Sequence, residues 1–403
     1  MSMMVCQRVV KAVLNVCGWL GVTVLVGLGW LAGCQSLTSQ PFNADSTVLP
    51  TDVIPFTAYQ SAVKSWLMEH RHPVKFDLHT EAELNTPFEC GEGSSKGILL
   101  VHGLGDSPYF FADISKPLCD QGYWVRTLLL PGHGSQPGDM LNATYQLWQH
   151  TVDVQVDAFA QNVDSLYLGG FSTGANLVTV SASKRNDVAG LLLFSPAMLP
   201  RFFVTRFAPW FTGITPWPNV EPEDNPARYN SIAMQGFAAY QGSVNAVQQV
   251  FATHTLQLPY FAVLAEGDSV VDVKSVALQL AERVDHPQNV LVWMGSPQNA
   301  PLRAHVQPFP LEQQRILAAS HMSMLFSSYN ALYGPNGSVR ICDNGQPADI
   351  EKQCTGALPD SLWYGPWGQE GDGRIVTRLT FNPYFDDMML QLHAFLEHTG
   401  QVD

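Results

Sequence analysis

Ser165-Leu166-Tyr167-Leu168-Gly169-Gly170-Phe171-Ser172-Thr173-Gly174 decides the reading of this chain. An apolar strand runs into G-x-S-x-G, and a helical segment, Gly174 to Lys184, follows. A strand that turns sharply into a helix at such a pentapeptide lifts the serine hydroxyl clear of its neighbours. The flanking glycines let backbone and substrate come close. The pentapeptide alone is weak, because ordinary Gly and Ser usage gives on the order of 0.1 chance matches in a chain of this length. A second match, Gly93-Ser94-Ser95-Lys96-Gly97, lies in a polar loop before a strand. Context selects Ser172 over Ser95.

Working outward, apolar strands are predicted at Gly97–Val101, Trp124–Leu130, Ser165–Leu168, Val188–Phe194, Tyr260–Ala265 and Asn289–Trp293. Helical segments near Phe110–Gln121, Thr144–Ala160, Gly174–Lys184 and Val273–Val284 separate them, and Phe385–His398 closes the chain. Tyr59–Arg71 reads as a further helix and Val74–Leu78 as a strand. Continuous apolar strands alternating with helices specify an α/β fold, with a mainly parallel sheet covered on both faces. Two stretches break the pattern. Residues 199–258 are long and rich in aromatics, which suggests a cap over the site. Residues 328–380 form a second insertion within a domain spanning 56–403.

The first residues read as an export signal. Arg8 and Lys11 precede an uncharged apolar run, which ends in Leu31-Ala32-Gly33-Cys34. Small residues before a cysteine resemble a bacterial lipobox, so residues 1–33 are expected to be removed and Cys34 to carry lipid such as palmitate. The competing reading is an uncleaved membrane anchor, since the run could span a bilayer. Gln35 after the cysteine resembles the outer-membrane sorting pattern, with the protein facing the periplasm. Residues 34–55 then read as a polar tether, too polar to pack. Removing a segment with two cations and no acids takes the formal charge from −14 to −16, which disfavours nucleic acid. Of the later cysteines, Cys342 and Cys354 enclose a short polar loop and are the favoured disulfide pair, leaving Cys90 with Cys119. No spacing suggests a metal site, and no cofactor is implied.

A serine hydroxyl needs a histidine to take its proton and a carboxylate to orient that histidine. In open α/β sheets such groups sit at the carboxyl ends of strands. Asp268, in Glu266-Gly267-Asp268, follows the strand Tyr260–Ala265. Glu266 and Asp272 are rivals, with Asp272 read as a helix cap. With the chain order Ser, acid, His, the candidates for the base are His286, His305, His321, His393 and His398. His321 follows Ile316-Leu317-Ala318-Ala319-Ser320, read as a strand end, and His305 is the runner-up. Backbone N–H groups of Thr173 and Leu104 are the candidate oxyanion donors. His102 and His133 are read as structural.

Val101-His102-Gly103-Leu104-Gly105, Leu130-Pro131-Gly132-His133-Gly134, Gly170-Phe171-Ser172-Thr173-Gly174, Glu266-Gly267-Asp268 and Ser320-His321, in this order, resemble the carboxylesterase and monoacylglycerol-lipase branch of the α/β-hydrolase superfamily. The resemblance runs from about residue 95 to 325. It implies a carboxylic-ester hydrolase acting on a small acyl ester, with Ser172 as nucleophile, His321 as base and Asp268 as orienting acid. The 26 or so residues between Trp293 and Ser320 depart from the family pattern, as does the Cys342–Cys354 region. A peptidase of the prolyl-aminopeptidase type, a thioesterase, an acyltransferase and a non-catalytic envelope lipoprotein are the alternatives, and the oligomeric state is left open.

Overall fold

The structure, a computed structural model, describes residues 40–45, 47–202 and 206–400. The signal segment, Cys34 and the start of the tether lie outside the described residues. The strands are β1 (Glu89–Cys90), β2 (Lys96–Val101), β3 (Trp124–Leu128), β4 (Ser165–Phe171), β5 (Val188–Phe194), β6 (Tyr260–Ala265), β7 (Val290–Gly295), β8 (His305–Pro308), β9 (Trp363–Gly365) and β10 (Val376–Arg378). The helices are α1 (Phe56–His70), α2 (Leu78–Asn85), α3 (Ala112–Asp120), α4 (Tyr145–Ala160), α5 (Thr173–Ala182), α6 (Ala208–Phe211), α7 (Met234–Thr253), α8 (Val273–Arg283), α9 (Ala348–Gly356) and α10 (Phe385–Thr399).

Eight strands form one sheet in the order β1-β3-β2-β4-β5-β6-β7-β8, and only the β1–β3 pair is antiparallel. The pleat sends alternate residues to opposite faces. Leu99 and Val101 of β2 accordingly pack with α1, α4, α5, α7 and α8, while Ile98 and Leu100 pack with α3 and α10. Because β2 and β6 are buried on both faces, their sequences read as unbroken apolar runs. The chain passes from β2 out to β3 and returns across β2 to β4. The order therefore reverses between β2 and β4, and the crevice at their carboxyl ends is where such folds bind ligands. Val101 pairs with Gly170 at that point.

Two expectations change. Val74–Leu78 is not a strand: the N–H groups of Val74, Lys75 and Phe76 turn inward to the fully buried Glu81 carboxylate, which also pairs with Arg71. A buried carboxylate must be matched by donors, and three backbone amides supply them better than a strand edge would. The polar tether does pack from residue 41 onward. Gly138 N–H donates to the Pro41 carbonyl, Asp45 N–H donates to Asp139 Oδ1, and Phe42 meets Trp217 edge-on at 5.1 Å. A side chain at Gly138 would collide with the Asn43 backbone, so glycine there makes room for the strap. Finally, residues 199–258 include the 20-residue helix α7, which packs on α4 and α5, and residues 328–380 hold α9 and the parallel pair β9–β10. Cys90 is bonded to Cys119 and Cys342 to Cys354. No helix among the described residues is long and apolar enough to cross a membrane.

Candidate active site

Ser172 sits between β4 and α5 with φ 54° and ψ −115°, a backbone conformation that L residues rarely adopt. Such strain persists only where the surroundings fix it. Here its N–H donates to the Phe194 carbonyl, and its own carbonyl accepts from Ala175 and Ala197. Every residue of α5 is buried, and the turn is tight on both sides. A methyl group at Gly170 would overlap the backbone of Ala175, and one at Gly174 would overlap the Val101 carbonyl. Ser95, the other pentapeptide serine, is exposed ahead of β2.

The histidine closes on this serine from 149 residues away. His321 Nε2 lies 2.9 Å from Ser172 Oγ, and its Nδ1 lies 2.6 Å from Asp268 Oδ2. A proton on Nδ1 satisfies both contacts: Nδ1–H donates to the carboxylate, and Nε2 accepts from the hydroxyl. Asp268 is fully buried, and its Oδ1 accepts from the Val270 and Val271 N–H groups at 2.7 and 2.9 Å. The carboxylate is thereby fixed with one oxygen left for the imidazole.

The structure separates the other candidates from this cluster. Glu266 turns to the Ser296 N–H and the Asn299 amide, and Asp272 caps α8 through the Ser275 N–H. His305 is an exposed residue opening edge strand β8, a strand too short and polar to be foreseen. His393 faces Glu397. His102 accepts from the Leu130 N–H, and His133 packs against it with ring centres 4.8 Å apart. Burial pushes both histidines down, His133 to about 4, which keeps them neutral structural groups. The segment before His321 is not a strand. Ile316 makes isolated bridges to Leu311 and Tyr364, the Leu317 N–H donates to Tyr364, and the buried Ser320 hydroxyl donates to the Leu379 carbonyl at 2.5 Å.

The loops nominated for the oxyanion flank the serine. A methyl group on Gly103 would lie 3.1 Å from Ser172 Cβ, so the loop carrying Leu104 abuts Ser172. Thr173 opens α5, where the first N–H groups have no acceptor within the helix. Asp106, which sequence reasoning passed over, lies in the same loop. The same methyl group would meet its Oδ2 at 2.6 Å, and its Oδ1 is 3.4 Å from Arg228 Nε. Burial pushes the Asp106 carboxyl up to about 7, while Arg228 and His321 pull it partly back. The 199–258 stretch reaches the site at two places. The Arg201 guanidinium donates to the Asp268 carbonyl at 2.7 Å, and Tyr229 N–H donates to the Gly105 carbonyl at 2.8 Å. Arg71 and Asn85, from α1 and α2, both donate to the Pro226 carbonyl and fix the part that carries Arg228 and Tyr229. No local pattern announces Asp106 or Arg228, because each acquires its meaning from a partner more than 100 residues away. No group of three or more His, Cys, Asp or Glu side chains among the described residues is arranged to hold a metal ion.

The switch-point crevice between β2 and β4, with the strained serine at its centre, belongs to a known architecture. A family described as serine aminopeptidase, S33, matches residues 93–236. The chain has the α/β-hydrolase fold. The family match spans β2 to the start of α7, so it includes Ser172 but stops before Asp268 and His321. A thermostable monoacylglycerol lipase from Bacillus sp. (strain H-257) is 27% identical to this α/β-hydrolase over 107 residues, which are 27% of this chain and 43% of that enzyme. The chain thus spans less than half the length of this curated relative. Among solved structures, the α/β-hydrolase is similar to one from work on LipS and LipT, two metagenome-derived lipolytic enzymes (TM-score 0.46, 19% identity, 52% of this chain and 87% of that one). It is also similar to a Paleococcus ferrophilus monoacylglycerol lipase (TM-score 0.44, 17% identity, 58% and 89%).

Proposed function

We propose that this α/β-hydrolase is a serine hydrolase that cleaves carboxylic esters, in the manner of a carboxylesterase or lipase. The observation that carries the reading is His321, hydrogen-bonded at once to Ser172 Oγ and Asp268 Oδ2. Ser172 Oγ attacks the ester carbonyl while His321 Nε2 takes its proton, and Asp268 holds the imidazole in the required tautomer. The Leu104 and Thr173 N–H groups receive the oxyanion, each contributing roughly 10²–10³ in rate. His321 then returns its proton to the departing alcohol, leaving an acyl group on Ser172. A water that gives its proton to His321 attacks the acyl carbon, and the acid leaves as His321 returns that proton to Ser172 Oγ. An active-site phosphonate is expected to label the protein at Ser172. Ser172→Ala should abolish labelling and lower turnover by roughly 10⁶. Continued labelling of that variant sinks the assignment.

The family description favours one second reading, an aminopeptidase. Such an enzyme needs an acidic group free to receive the substrate ammonium. Asp106, beside the nucleophile, is already opposed by Arg228, which supports the ester instead. Comparing a short acyl nitrophenyl ester with an aminoacyl naphthylamide separates the two; faster naphthylamide turnover overturns the ester reading. We further propose that the lipobox-like stretch ending at Cys34 anchors the protein to the outer membrane, facing the periplasm. Metabolic palmitate labelling that persists in Cys34→Ala would rule this out.

A further inference from the structure

Two partly buried arginines from different insertions stand beside the Ser172–His321–Asp268 cluster, and neither is well matched by a carboxylate. Arg378 ends β10, and it forms no ion pair among the described residues. Its Nε donates to Asn344 Oδ1 at 2.7 Å and its Nη2 to the Asp343 carbonyl at 3.3 Å, both neutral acceptors, which leaves Nη1 without an acceptor among the described residues. Arg228, in the 199–258 stretch, has one ion-pair partner there, Asp106, whose Oδ1 stands 3.4 Å from its Nε. A charge-assisted N–H···O bond is shorter, about 2.7–2.9 Å. Burial pushes the Asp106 carboxyl up to about 7, so in neutral solution it compensates Arg228 only in part.

Tyr333 ties the two segments together. Its hydroxyl donates to Asn225 Oδ1 at 2.7 Å, three residues before Arg228, and its carbonyl accepts from Thr380 Oγ1 at 2.6 Å, two residues beyond Arg378. Both segments also reach the site. Arg228 faces the Asp106 loop that abuts Ser172, while Ser320, next to His321, donates to the Leu379 carbonyl. Asn344, which holds Arg378, donates to the Pro366 carbonyl, and Pro366 lies against Gly267, beside Asp268. Burial first, then the Arg228 charge, pushes the Arg378 guanidinium down to about 10, which is still cationic at neutral pH. Glu223, the other acid that feels Arg228, spends its oxygens on the Asn230 and Ser231 N–H groups. Two like charges brought together in a partly desolvated crevice are destabilising until an anion neutralises them.

We propose that Arg228 and Arg378 bind a carboxylate on the alcohol half of the ester, so that the substrates are acyl esters of short hydroxy acids. A guanidinium presents a planar fork of donors that matches a carboxylate. His321 hands its proton to the departing oxygen, so the alcohol half leaves over the imidazole, the side on which both arginines stand. The products are then a carboxylic acid and a free hydroxy acid. A chain of formal charge −14 repels such a substrate at long range, and the local pair of cations is what holds it. This rests on the ester-hydrolase reading above.

The test compares 3-butyryloxypropanoate with 3-butyryloxypropanamide, which match in size and differ in charge. Wild type is expected to hydrolyse the carboxylate with kcat/KM about tenfold or more above the amide. In Arg228→Gln that ratio should fall to about one, chiefly through KM, and Arg228→Lys should restore part of it, which general damage to the fold cannot do. Arg378→Gln should lower the ratio likewise; if that variant does not fold, the two Arg228 variants decide alone. A ratio near one in wild type, or a wild-type ratio in either folded glutamine variant, overturns the arginine site. Calorimetric titration of Ser172→Ala with the same two esters reads the site without turnover, and the carboxylate should bind about tenfold tighter. Wild type inactive on both esters defeats the ester-hydrolase reading alone. The titration then decides the arginine site, which equal affinities overturn.

Discussion

Two segments meet at Ser172, and they are built on opposite principles. The turn at Ser172 is local: β4, the pentapeptide and α5 are contiguous in the chain, and the turn's shape is enforced by close backbone packing at Gly170 and Gly174. The arm that carries His321 has only a 3-10 turn, Glu312–Gln314, and isolated bridges at Leu311 and Ile316 before the histidine. It is held by hydrogen bonds to Tyr364 and Leu379, some 45 to 60 residues onward, within the disulfide-bearing insertion. A local turn can be specified by a few residues, whereas an irregular arm needs the whole domain around it.

Four substitutions break or sharpen this contrast. Asp268→Asn removes the charge that orients the arm's imidazole and is expected to lower kcat by roughly 10⁴ with the fold intact. Steady-state kinetics within tenfold of wild type would show that the arm alone positions the ring. On the local side, Gly174→Ala forces a methyl group into the Val101 carbonyl and 2.6 Å from the His102 carbonyl. A loss above about 4 kcal/mol is expected in denaturant titration, with Gly213→Ala, which meets open space, as the neutral control.

Asp106→Asn probes the charge between the turn and Arg228. The folded protein keeps the Asp106 proton between the ordinary value of 3.8 and about 7, while the unfolded chain has released it. Stability therefore falls as pH rises through that window, by up to about 1.4 kcal/mol per pH unit. The Tm of Asp106→Asn should decline less than that of wild type between pH 5 and pH 7, and parallel curves would refute the assignment. Ser320→Ala has the smallest expected effect. It strips one hydrogen bond from the arm and leaves the buried Leu379 carbonyl without that donor, at about 1–3 kcal/mol. Calorimetry should show Tm lowered by about 2–4 °C. An unchanged Tm would mean that the arm is held elsewhere.

Much of the fold was legible because its core strands are long, apolar and buried on both faces. The strands that were missed, β1, β8, β9 and β10, are two to four residues long, too short to show a pattern, and β8 is largely exposed. The misread strand at Val74–Leu78 and the tether were decided by partners distant in sequence: Glu81 and Arg71 for one, and Gly138, Asp139 and Trp217 for the other. His321 was singled out through a strand that does not exist, and chain order was the sounder part of that reasoning. Asp106 and Arg228 carried no local signal at all.

By itself the sequence determined the mainly parallel sheet and the place of Ser172, since alternating apolar runs and a glycine-flanked turn are properties of neighbouring residues. The tertiary structure alone decided how His321 reaches Ser172, which carboxylate it faces and where the strap lies. Those outcomes depend on groups far apart in the chain, brought within hydrogen-bond or van der Waals range only when the sheet closes around them.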